Sequence, residues 1–130
     1  ALILVPATAL WADDWPQYRG PNRDDVSRET GLLQSWPDGG PRLLWTYRDA
    51  GIGYSGPAIV ADRLYSLGDR GEDEFLYALD LKSTASGSVS QLWAVRIGAK
   101  FDFKGNQWSA GPSATPTVDG EYYLSLRVGD

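Results

Sequence analysis

From Arg42 onward, short apolar runs alternate with clusters of Gly, Asp and Ser, and the runs are too brief for helices. Residues 43–47 read as a first strand and residues 58–60 as a second, ended by Ala61-Asp62. Residues 63–67 alternate apolar and polar positions and give a third, closed by the turn signal Gly68-Asp69-Arg70-Gly71-Glu72-Asp73. Residues 74–80 supply a fourth strand and residues 91–97 a fifth. Upstream the pattern differs. Residues 13–41 form an irregular N-terminal leader punctuated by Trp15-Pro16-Gln17-Tyr18-Arg19-Gly20-Pro21-Asn22 and Trp36-Pro37-Asp38-Gly39-Gly40-Pro41. Proline at this density forbids long backbone ladders. A short helix or turn fits residues 26–35, with Ser27 as N-cap and Gly31 as its limit.

The apolar pattern also repeats. Leu44-Trp45 returns as Leu92-Trp93, 48 residues on. Pro57-Ala58-Ile59 followed by Ser66-Leu67 returns as Pro116-Thr117-Val118 followed by Ser125-Leu126, 59 residues on. The difference of 11 places an insertion around residues 98–113. Four strands in a period of about 40–50 residues are the mark of propeller blades. One four-stranded sheet cannot bury both of its faces, and radial stacking of sheets supplies that burial. The expected fold is therefore all-β, a β-propeller of four-stranded antiparallel blades spanning residues 42–130. Residues 57–97 make one complete blade, residues 43–47 the outer strand of another and residues 114–128 the start of the next. Sheet edges and faces left without neighbours would favour aggregation.

Composition narrows the chemistry. The formal net charge is −5 and the pI about 4.6, so the phosphate backbone of nucleic acid is repelled. Cys and His are both 0, which excludes disulfides, thiolate nucleophiles, histidine metal sites and a Ser-His-Asp triad within this chain. Residues 1–9, Ala-Leu-Ile-Leu-Val-Pro-Ala-Thr-Ala, read as the end of an apolar signal segment with an Ala-x-Ala cleavage site. Cleavage fits after Ala9 or after Ala12, so residues 1–12 are read as the end of a signal peptide. With no basic segment before this run and no Met in the chain, the true start is expected to lie upstream. This run is far short of the ~20 residues of a membrane span. Export to the periplasm or cell envelope is expected, with no transmembrane span.

Several motifs have the residue types that chemistry requires. Gly51-Ile52-Gly53-Tyr54-Ser55-Gly56 matches a dinucleotide fingerprint, but Pro57 and a strand follow where a helix must begin. The glycines fit a tight connection instead. The nucleophile elbow Gly-x-Ser-x-Gly fails at Pro57, and no histidine exists to activate Ser55. Acidic clusters stand at Asp13-Asp14, Asp24-Asp25 and residues 69–74. The spacing Asp69-x-Gly71-x-Asp73 does not match an EF-hand loop and fits a solvated hairpin turn, while paired carboxylates for glycoside chemistry stay open as an alternative. No catalytic or metal-binding residue is assigned. The insertion carries the candidate binding residues Phe101, Phe103, Lys104, Asn106 and Trp108, with Gln107 beside them. Loops of this length on a propeller carry binding, and these side chains suit a sugar, a quinone or a peptide. Packing on the leader or on an adjacent blade is the competing role.

The segment Ala78-Leu79-Asp80-Leu81-Lys82-Ser83, closed by Leu92-Trp93, resembles the docking motif of the PQQ-like repeat family, the quinoprotein alcohol dehydrogenase-like propellers. That motif reads Ala-x-Asp-x-x-Thr-Gly-x-x-x-Trp. Here Ala78 and Trp93 are 15 positions apart where the motif has 10, because residues 84–90 lengthen the turn. The leader motif at residues 15–21 and the segment Ala114-Thr115-Pro116-Thr117-Val118-Asp119-Gly120 resemble exported bacterial members. The resemblance implies that Trp45 and Trp93 wedge against neighbouring blades. It implies a non-catalytic scaffold or interaction module, similar to the outer-membrane assembly factor of this superfamily. The alternative is a dehydrogenase of alcohols, or polymeric alcohols, that uses pyrroloquinoline quinone. Its catalytic residues, quinone and calcium would then lie outside these 130 residues. The implied partners are other blades of the same chain and other envelope proteins.

Overall fold

The structure, a computed structural model, describes residues 12–82, 87–100 and 110–124. Among them the chain is all-β. The alternating segments become β1 (Ala58–Val60), β2 (Arg63–Arg70), β3 (Asp73–Asp80) and β4 (Ser90–Ala99), an antiparallel sheet in sequence order. A second hairpin follows, β5 (Thr117–Asp119) with β6 (Tyr122–Leu124). The two hairpins share one register. Ala58 opposite Tyr65 in the first becomes Thr117 opposite Leu124 in the second, and Val60 opposite Arg63 becomes Asp119 opposite Tyr122. Each partner has moved by 59 positions, the offset of the sequence repeat.

The core lies between the sheet and the second hairpin. Ala58, Tyr65 and Ala78 present one face of the sheet to Val118, with Val60, Trp93 and Tyr123 packed around them. Trp93 stands directly opposite Ala78, whose small side chain is fully buried and leaves room for the indole. Tyr65, Trp93 and Tyr123 then form an aromatic cluster with ring centroids 4.9–6.0 Å apart. Rings at this spacing gain favourable quadrupole contacts in addition to their burial. The β3–β4 pairing contains a bulge near the start of β4. Leu79 pairs with Gln91 while Ala78 pairs with Trp93, so Leu92 is the extra residue and remains exposed.

Three sequence expectations are corrected. Residues 43–47 are not a strand but an irregular segment lying over the opposite face of the sheet. The β2 edge is already occupied by β1 and by Ile52, which exchanges backbone hydrogen bonds with Asp69. Leu43 and Leu44 are exposed, Trp45 is half-buried, and Tyr47 packs on Tyr77 with ring centroids 5.6 Å apart. Gly68 permits this crossing, since a Cβ there would collide with the Ala50 carbonyl. Second, residues 26–35 contain no helix. Ser27 Oγ accepts the Glu29 amide at 3.2 Å in a local side-chain turn, which competes with helix formation. Third, β2 continues through Gly68-Asp69-Arg70, so the turn shrinks to Gly71-Glu72.

The leader is irregular but tied down. Trp15 exchanges backbone hydrogen bonds with Ile59 at 2.7 and 2.8 Å, and the Pro16 carbonyl accepts the Val118 amide at 2.8 Å. One short stretch therefore clips β1 and β5 together. The β1–β2 turn carries strain, because Ala61 and Asp62 both have positive φ, 49° and 61°. The repeat-equivalent of Ala61 is Gly120, with φ 58°. A left-handed non-glycine residue costs about 1–2 kcal/mol, part of which glycine returns as unfolded-chain entropy. Ala61→Gly is expected to stabilise the protein by about 0.5–1 kcal/mol in urea unfolding.

Candidate functional site

The candidate binding residues Phe101, Phe103, Lys104, Asn106 and Trp108 lie outside the described residues, as does Ser83 of the docking motif. The base of that insertion is described. β4 ends at Ala99, and the Lys100 amide donates to the Glu72 carbonyl at 2.8 Å, fastening the strand end to the β2–β3 turn. The insertion thus leaves the sheet beside that turn, where two unusual groups of side chains sit on opposite faces.

On the core-side face, Asp69 and Glu74 stand directly opposite each other on β2 and β3. They are 4% and 2% exposed, so the expectation of a solvated acidic turn is overturned for these two residues, while Gly71 and Glu72 between them are exposed. The cause is strand alternation. Once β2 extends to Arg70, Asp69 falls on the same face as Tyr65 and Leu67, and its partner Glu74 on the face of Leu76. Both carboxylate oxygens of Asp69 are buried without a hydrogen-bond partner. Burial raises its pKa above the ordinary carboxylate value, and Glu74 raises it further, with Lys100 opposing both.

On the other face, Arg70 is held by three elements. Its Nη2 donates to Tyr47 Oη at 3.1 Å and to Gln91 Oε1 at 2.8 Å, and Tyr47 Oη donates to the same Gln91 oxygen at 2.7 Å. The guanidinium carbon lies 5.2 Å from the Tyr77 ring centroid and 5.6 Å from that of Phe75. Tyr47, Arg70 and Gln91 border a cleft of about 820 Å³ that Thr46, Arg48, Asp49 and Asp69 also line. None of Tyr47, Arg70 or Gln91 stands out in the sequence. The available signal was the alternation of β2 and β3, which places Arg70, Phe75 and Tyr77 on one face once the strand lengths are known.

The glycine-rich stretch makes a connection. Gly53 packs against Pro112, and Tyr54 N donates to the Pro112 carbonyl at 2.8 Å. Ser55 Oγ accepts the Leu67 amide at 3.2 Å and donates to the Ala114 carbonyl at 2.7 Å. Its hydroxyl therefore joins β2 to the segment leading into β5. Among the described residues no group of three or more acidic, His or Cys side chains is placed to hold a metal. No helix among them is long and apolar enough to cross a membrane. No known protein family, curated protein or solved structure matches the chain.

Proposed function

We propose that this is an exported PQQ-like repeat protein of the β-propeller type, acting as a non-catalytic scaffold or interaction module in the periplasm or cell envelope. The observation that carries this reading is the recurrence of one hairpin, in one register, 59 residues along the chain. Trp93 supports it, because the indole stands between the first sheet and Tyr123 of the second hairpin. A Trp in that place serves stacking of successive sheets, which is how repeat architectures bury a shared core. Two polar features that could carry catalysis are engaged in structure: Ser55 joins segments, and the Asp69–Glu74 pair is shut away from solvent. The Ala-x-Ala signal in the first residues supports export.

Titration with pyrroloquinoline quinone and calcium tests the non-catalytic part. The natural protein is expected to show no saturable quinone binding and no dye-linked alcohol oxidation. Turnover would replace the scaffold by a quinoprotein dehydrogenase.

A further inference from the structure

We propose that the cleft beside Tyr47, Arg70 and Gln91 is a binding site for a carboxylate group. Arg70 is the reason. No carboxylate among the described residues lies within ion-pair distance of it, whereas Arg19, Lys82 and Arg96 each pair with an aspartate. Asp49 and Asp69 line the same cleft, and neither pairs with Arg70. The guanidinium is fixed on one side by Tyr47 and Gln91 and backed by the Tyr77 and Phe75 rings. Its Nε is buried with no hydrogen-bond partner.

A guanidinium held in one orientation gives up little side-chain entropy when it binds, and its Nη1 hydrogens, which Tyr47 and Gln91 leave free, can donate to a carboxylate in a charge-assisted contact. Aromatic backing keeps water off one side and strengthens the charge-assisted hydrogen bonds on the other. Arg48, on the same cleft, adds a second positive charge. The ligand is thus a carboxylate at the end of a free small molecule or on an acidic residue of an extended peptide. Neither case depends on the propeller reading, so the two proposals fail separately.

The test follows the Arg70 Nε–Hε resonance by NMR during titration with sodium succinate and with a glutamate-containing hexapeptide. Sodium chloride at equal ionic strength is the control. Expected are a saturable shift with at least one carboxylate probe, none with chloride, and loss of the binding in Arg70→Gln. Gln91→Glu, which sets an internal carboxylate against Arg70, is expected to keep the fold and weaken binding at least tenfold. Tighter binding of the peptide identifies a protein partner as the source, and equal or tighter binding of succinate a small molecule. Shifts that match chloride, or carboxylate binding unchanged in Gln91→Glu, overturn the proposal.

Discussion

Trp93→Ala is expected to destabilise the protein by about 3 kcal/mol, the lower end of the range for losing a packed tryptophan. The indole touches both Tyr65 and Tyr123, so its removal opens the contact between the sheet and the β5–β6 hairpin. Two readouts separate this from general loosening. Urea unfolding gives the total loss, and hydrogen exchange should accelerate first at Val118 and Tyr123, before the central strands β2 and β3. Trp93→Phe keeps an aromatic ring in place and should recover more than half of the loss. Uniform acceleration across all strands would show that Trp93 supports the sheet itself and not the docking of the hairpin.

Asp69→Asn is expected to stabilise the protein at neutral pH, by about 1–3 kcal/mol. A carboxylate whose oxygens are both buried and unpartnered opposes folding, and the amide removes the charge with little change of shape. The pH dependence follows from the raised pKa. Between the ordinary carboxylate value of 3.8 and the raised folded value, the folded protein binds the proton more tightly than the unfolded chain. Stability contributed by Asp69 is therefore present in acid and lost as pH rises through that window. The advantage of Asp69→Asn should accordingly appear at pH 7 and shrink towards zero below about pH 4. Denaturation curves of both proteins at the two pH values check this. A variant less stable than the parent at pH 7 would mean that the Asp69 charge is compensated.

Much of the sheet was legible because strand alternation is a local signal. Residues 63–67 and 74–80 declared themselves through their apolar spacing, and the offset of 59 anticipated the matching registers of the two hairpins. Errors arose where tertiary contacts outweighed local chemistry. Gly68-Asp69-Arg70 carries turn residues yet stays in the ladder, because Ile52 and residues 73–75 pair on both sides of it. Residues 43–47 have the composition of a strand but meet the face of the sheet, where no backbone groups are free. The Arg70 cluster could not be read in advance. It unites residues 47, 70, 75, 77 and 91, and their meeting depends on a register that is fixed only when the bulge at Leu92 is known.

The most direct test of the repeat architecture is an experimental structure of the natural protein. The propeller reading requires the β5–β6 hairpin to continue into a four-stranded antiparallel sheet that stacks on the first through Trp93 and Tyr123, with further sheets arranged about a common axis. A closed two-layer sandwich, in which β5–β6 merely covers the first sheet and no further sheet stacks on it, would contradict that reading.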